Sequence, residues 1–183
     1  EVSGDIIGAG VMKSVKKLTS GKARFAGVGG VHMSSEGLES LFPIDELSVL
    51  GLFELIPKIP KFLKRIGETV HDIFLKKPCA VITIDSKGFN FRIAKQIALK
   101  QNNETKKIKL IHMVAPTVWA WRPGRAKKIA KLFDHLLVMF PFEPAYFIPH
   151  GLKTSFVGHP ALEEKEGNAD TFKKSFSIPK DCL

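Results

Sequence analysis

An α/β fold, with a parallel sheet covered by helices on both faces, follows from three features of this 183-residue chain. Short apolar, β-rich runs recur, the clearest being Cys79-Ala80-Val81-Ile82-Thr83-Ile84, and runs of that kind are buried in parallel sheets. Helical patterns alternate with them along the whole chain. Polar and glycine-bearing turns such as Asp85-Ser86-Lys87-Gly88 punctuate the alternation.

In order, Gly4 to Leu18 carry Ile6, Ile7, Val11, Val15 and Leu18 at helical spacing, and Arg24 to Val28 read as a short strand entering Gly27-Val28-Gly29-Gly30. Phe53 to Phe74 hold a long helical pattern, interrupted early by Pro57 and Pro60. Its residues Phe62, Leu63, Ile66, Val70, Ile73 and Phe74 suit a core face. The strand 79–84 belongs among the inner strands, with Cys79 as a small core residue. A helix over Phe89–Lys100, a solvated loop to Lys107 and a strand over Ile108–Met113 follow. A helix from Gly124 to Phe133, a strand from His135 to Met139, a short helix over Pro144–Ile148 and a strand over Ser155–Val157 complete the series.

A net charge of +10 calls for an anionic partner: nucleic acid, a phosphorylated small molecule or an anionic membrane surface. Two cysteines without C-x-x-C spacing argue against a zinc site or a disulfide framework, and a reducing cytoplasm fits them. No stretch reaches the roughly 18 apolar residues of a membrane span. The chain opens on Glu1 and stops at Leu183, just after a turn-like segment, so both ends read as cut. A first strand is expected before Glu1.

Asp85 stands where a strand ends, and open α/β sheets gather ligands outside the carboxyl ends of their strands. A carboxylate there is placed to act as a base, or simply to form a turn or cap the next helix. Glu1-Val2-Ser3-Gly4-Asp5 looks like a strand-to-helix turn. Ser3 or Asp5 would cap its helix, whose free amides suit an anionic or hydroxyl-rich ligand. The glycines around Gly29 and Gly30 permit close approach of a ligand to the backbone, although they form no GxGxxG fingerprint. Trp119 and Trp121 point the same way if extended and precede Arg122 and Arg125 at a helix start. Rings for stacking and guanidinium for phosphate suit a sugar-phosphate ligand, and anchoring of the loop in the core is the competing role.

Several stretches fall together in one order: Glu1-Val2-Ser3-Gly4-Asp5, Gly27-Val28-Gly29-Gly30 with Met33, Glu36 to Leu41, Ile84-Asp85 with Phe89-Asn90, Val118-Trp119-Ala120-Trp121-Arg122, Pro141-Phe142-Glu143 and Val157-Gly158-His159-Pro160. In this the chain resembles the N-terminal half of the lipid-A-disaccharide synthases, from Glu1 to about Leu162. The resemblance implies a Rossmann-like half of a two-domain, GT-B-type glycosyltransferase, with residues 1–162 as the acceptor-binding domain and 163–183 leading into a nucleotide-binding second half. It implies an inverting hexosyl transfer from UDP-2,3-diacylglucosamine to 2,3-diacylglucosamine 1-phosphate, without bound metal or other cofactor. With the donor half and first strand missing, it implies that these 183 residues alone do not catalyse that transfer. Asp85 matches the carboxylate thought to activate the acceptor's 6-hydroxyl. Glu1, Ser3, Gly4, Gly29, Gly30, Asn90, Trp119, Arg122, Arg125 and His159 are implied to line the substrate site. A cytoplasmic protein attached peripherally to the inner membrane of a Gram-negative bacterium is implied as well.

Many members carry Ile-Asp-Ala-Pro-Asp-Phe-Asn where this chain reads Ile84-Asp85-Ser86-Lys87-Gly88-Phe89-Asn90, so Asp85 is the only carboxylate of the loop. Val49, Leu50, Leu52, Phe53, Leu55 and Ile56 lie just before Lys58, Lys61, Lys64 and Arg65. Apolar insertion beside a basic cluster is how a helix lies on an anionic membrane, and substrates with acyl chains favour that over a core helix with a solvated basic face. A second basic cluster, Arg122, Arg125, Lys127, Lys128 and Lys131, leaves two alternatives open. One is a non-catalytic lipid- or membrane-binding module. The other is a basic nucleic-acid-binding domain, which no helix-turn-helix, RNA-recognition or zinc spacing supports.

Overall fold

In the computed structural model, residues 2–47, 52–101, 107–160 and 175 are described, the side chains of 52–58 excepted. Helix α1 (Val2–Leu18) is followed by a short α2 (Val31–Ser35), a 3-10 turn at Ile44–Leu47 and the long α3 (Leu52–Lys76). Strand β1 (Ala80–Ile84), α4 (Lys87–Lys100), β2 (Lys109–Met113), α5 (Arg125–Ala130), β3 (His135–Val138), α6 (Pro144–Phe147) and β4 (Lys153–Phe156) complete the α/β alternation. The four strands run parallel in the order β1-β2-β3-β4. Each connection carries a helix or helical turn back over the sheet, as parallel pairing requires.

Alternation along the strands sets one face, bearing Thr83, Leu110, His112, Leu136 and Val138, into the deepest part of the core. Ile66 and Val70 of α3, Phe89, Ile93 and Ile97 of α4, and Ile129 of α5 belong to the same buried cluster. Edge-to-face ring pairs, Phe42 and Phe62 on Phe89 and Phe91 on Phe133, lock its helices together. On the other face Ile82 is 39 % exposed, and α1 packs against β1.

Four expectations are corrected. The strand 79–84 is not an inner strand: β1 lies at the sheet edge, because no described strand pairs with its outer side. Cys79 is exposed instead of core, since the strand begins one residue later at that open edge. Residues 24–28 make only an isolated parallel bridge, Gly27 to Ser40. Leu63 is exposed, because the buried stripe of α3 runs through Ile66 and Val70, with Phe62 at its margin. Helix α3 also continues through Pro57 and Pro60, which cost it backbone donors without ending it. Glu1, Val49, Leu50, most of the loop before β2, and the 162/163 boundary lie outside the described residues, as do the side chains of Leu52, Phe53, Leu55, Ile56 and Lys58.

Candidate active site

The carboxyl ends of β1 and β2 are neighbours, and the backbone leaves both in an unusual way. Asp85 (φ +44°) and Ser86 (φ +37°) follow β1, Val114 (φ +73°) follows β2, and Arg122 (φ +57°) closes the tryptophan loop. Left-handed backbone is uncommon outside glycine and an outlier for a β-branched residue such as Val114. Such residues cost on the order of 1–3 kcal/mol each and cluster at functional sites. Neighbouring ladders hold two of them: Asp85 N–H donates to Met113 O (3.0 Å) and Val114 N–H to Leu137 O (3.1 Å).

Asp85 is half-buried, and among the described residues its carboxylate has no hydrogen-bonding or ionic partner. The residue at the N-cap of α4 is Ser86, also left-handed, and it makes no side-chain cap bond. The capping role that competes with catalysis therefore leaves no trace in the geometry. Asn90, one turn into α4, aims its amide back at the loop and donates from Nδ2 to the Ile84 and Asp85 carbonyls at 2.8 and 3.0 Å.

The tryptophans are not arranged as an extended strand would arrange them. Ala120 and Trp121 N–H both reach Thr117 O, so the loop is a turn, and Val118 (1 % exposed) is its core anchor. Trp119 and Trp121 remain 42 % and 61 % exposed, which removes the core-anchor role for either ring. Trp119 meets Phe142 edge-on, Phe142 stacks with Phe140, and Phe140 lies 6.2 Å from the His159 ring. This exposed aromatic ledge draws on the loops that leave β2, β3 and β4. The Arg122 guanidinium covers the Trp121 ring at 4.1 Å, and Arg125 is half-buried at the start of α5. Glu143 is buried beneath the ledge and accepts the Met139 and Phe140 N–H groups, so its part is structural.

Gly29 and Gly30 belong to a different unit. A Cβ at Gly29 would stand 2.6 Å from Leu38 Cδ2, and one at Gly30 would stand 2.6 Å from Asp5 Oδ2. The close approach these glycines allow is made by the protein's own side chains. Asp5 does not cap its own helix as expected; it caps α2, taking the Gly30, His32 and Met33 N–H groups. Ser3 is exposed, and a Cβ at Gly4, in the first turn of α1, would meet nothing within 4 Å beyond its own helix. Asp85 and Trp119 thus share the carboxyl edge of β1 and β2, whereas Gly29 and Gly30 are tied to the packing of α1 on α2.

His112, fully buried in β2 just below this edge, was not singled out by its sequence context. Its Nδ1 lies 2.8 Å from Thr83 Oγ1, whose hydroxyl donates to Ile111 O, so Nδ1–H is the donor of that pair. Phe133 stacks on its ring and Phe91 meets it edge-on, and Nε2 has no partner among the described residues. Burial, reinforced by the Lys87 charge, pulls its pKa down to about 4. A histidine depressed in this way must charge at a penalty in the folded state. Stability is therefore undiminished above the unfolded pKa near 6.5 and falls as pH drops from there through about 4, by on the order of 3 kcal/mol. Urea unfolding across that window should show the slope in the wild type and lose it in His112→Phe. An equal slope in both would assign it to other groups.

No described helix is long and apolar enough to cross a membrane, and no described cluster of three His, Cys, Asp or Glu side chains gathers. A family model described as Lipid-A-disaccharide synthetase matches residues 1–182. The chain is 44 % identical over 184 residues to the lipid-A-disaccharide synthase of Rhodospirillum centenum, covering 100 % of this chain and 45 % of that protein. It is 48 % identical over 170 residues to that of Paramagnetospirillum magneticum, covering 93 % and 43 %, and 45 % identical over 181 residues to that of Gluconobacter oxydans, covering 98 % and 42 %. The chain spans less than half the length of these curated relatives. With a match from the first residue to the last but one, the chain belongs to the lipid-A-disaccharide synthetase family.

Proposed function

We propose that this chain is the acceptor-binding half of an inverting, GT-B-type glycosyltransferase, its first domain ending near residue 162. The reaction joins UDP-2,3-diacylglucosamine to 2,3-diacylglucosamine 1-phosphate. Asp85 takes the proton of the acceptor's 6-hydroxyl as that oxygen attacks C1 of the donor sugar, and the C1–O bond to UDP breaks with its electron pair leaving on UDP. The observation that carries this reading is the half-buried Asp85 carboxylate at the carboxyl end of β1, which has no partner among the described residues. A primary hydroxyl is a poor nucleophile, and a base in reach typically contributes about 10²- to 10⁴-fold. No metal is needed to make that proton transfer.

In the same reading Trp119, Arg122, Arg125 and His159 contact the acceptor: rings for the sugar and acyl stems, cations for the 1-phosphate. Ser3 and Gly4, in the first turn of α1, and Glu1, next to them in the sequence, add to the substrate side; Gly29 and Gly30 act through the packing of α1 on α2, and Asn90 shapes the Asp85 turn. The test is UDP release by a protein extended to the full length of its relatives, with both acylated substrates present. Disaccharide formed only when both are supplied is the expected result, and none formed under any condition would overturn the assignment.

Peripheral attachment to an anionic inner-membrane surface belongs to the same proposal. Ile59 and Leu63, one turn apart on α3, are 41 % and 55 % exposed, and Leu52 and Ile56 precede them at four- and three-residue steps in the sequence. The flanking charge is smaller than a count of lysines suggests. Lys61 and Arg65 pair with Glu46 at 3.2 and 2.7 Å, and Lys64 and Arg65 pair with Glu68 at 3.8 and 2.6 Å. Apolar insertion should therefore outweigh electrostatics. Ile59→Ser with Leu63→Ser should lower co-sedimentation with anionic vesicles by about tenfold or more, given the 1.5–3 kcal/mol typical of burying one such side chain. Lys61→Glu should matter less, and less again at high salt. Unchanged binding by the serine pair would remove α3 from the membrane surface.

A further inference from the structure

We propose that Asn90 is a positioning residue: it holds the Asp85 backbone in the left-handed conformation from which the carboxylate serves as base. The inference rests on the reading of Asp85 given above, and it assigns Asn90 a task other than substrate contact. Two consecutive non-glycine residues with positive φ, Asp85 and Ser86, form the connection from β1 to α4. Such a turn persists only where its surroundings over-determine it. Asn90 supplies that constraint from three directions. Its Nδ2 donates to Ile84 O, the last residue of the strand, and to Asp85 O, the first residue of the turn. Its own N–H donates to Ser86 O at 2.9 Å.

The opposite side of the turn is pinned by the bond from Asp85 N–H to Met113 O. Both backbone polar groups of Asp85 are thereby fixed, one by the neighbouring strand and one by the Asn90 amide. Phe89, 4 % exposed and gripped edge-on by Phe42 and Phe62, sets the register of α4 so that the next residue meets the turn. The chemistry demands a primary amide. Both carbonyls need a donor, an aspartate of the same shape has none when ionised, and both Nδ2 protons are already used. Only Oδ1 is left for any other partner.

The test uses the full-length protein with Asn90→Asp, Asn90→Ala, Ser86→Gly and the Asn90→Ala/Ser86→Gly double variant. A displaced base loses about tenfold to a hundredfold in rate without weakening binding, so kcat should fall in the Asn90 variants while KM for the acceptor stays within about twofold. Glycine at 86 adopts the left-handed conformation freely, so Ser86→Gly should recover a large part of the kcat lost in Asn90→Ala. It should also raise the melting temperature of Asn90→Ala by more than it raises that of the wild type, a coupling readable even if turnover is too slow to measure. A raised KM with unchanged kcat, or equal melting-temperature increments in the two backgrounds, would overturn the positioning role. Asp85→Asn run alongside separates the two ideas. Normal turnover there defeats the base assignment itself, whereas a large loss there with unaffected Asn90 variants defeats only the clamp.

Discussion

Asp85→Asn in the full-length protein lowers turnover by about a hundredfold or more, the loss assigned to removal of a general base, with thermal stability unchanged. Asparagine is the informative replacement because of the backbone. At φ +44° only glycine, asparagine and aspartate are comfortable, so Asp85→Asn keeps the turn where Asp85→Ala would strain it and blur the result. The wild-type carboxylate has no partner among the described residues, so its exchange for an amide breaks no bond of the fold. What disappears is the ability to take a proton. UDP release measured at saturating donor and acceptor should show the loss in kcat, with the acceptor KM nearly unaltered. Turnover close to wild type would place the base on another residue and leave Asp85 as a turn former.

The alternation of apolar runs and helical patterns made the parallel sheet legible from sequence, and all four strands of the sheet lie within a few residues of their expected positions. The edge position of β1 was not legible, because an apolar run reports what covers the faces of a strand and does not say which strands lie beside it. Exposure of Cys79 follows from the same cause. Asp85 could be located by its place at a strand's end, yet the choice between base and cap needed the backbone: both Asp85 and Ser86 are left-handed, and neither caps α4. Long-range partners were invisible for a simpler reason. Periodicity reports contacts a few residues apart, whereas Asp5 meets residues 25 to 28 positions away and His112 meets Thr83 across 29. Asn90 had a nearer signal, its place directly after the buried Phe89, but the direction of its amide is a property of the turn it holds.

Asp5 is where the largest loss of stability is expected. The carboxylate is 4 % exposed and accepts three backbone N–H groups, from Gly30 (2.8 Å) and Met33 (3.1 Å) at Oδ1 and from His32 (2.8 Å) at Oδ2. These are the open donors at the start of α2, whose own N-cap residue is a glycine without a side chain to satisfy them. Burial alone would raise the Asp5 pKa, but the three hydrogen bonds outweigh it and hold the carboxyl below its usual range. A carboxylate depressed in this way contributes stability that is present above the unfolded pKa near 3.9 and is lost as pH falls below it. Asp5→Ala leaves three donors unmatched at about 1–3 kcal/mol for each that stays buried, and with partial relaxation toward water a total of about 2–4 kcal/mol is expected. Asp5→Asn should fall between, since one end of the amide then points a donor at a donor. Gly30→Ala should also destabilise, because its Cβ would meet Asp5 Oδ2 at 2.6 Å. That clash is with the very group Asp5→Ala removes, so the double variant should cost clearly less than the two singles added together. Urea unfolding of the four proteins at pH 7 decides it: strictly additive costs would mean that Asp5 and Gly30 stabilise the α1–α2 unit independently and that the carboxylate is not the reason residue 30 is glycine.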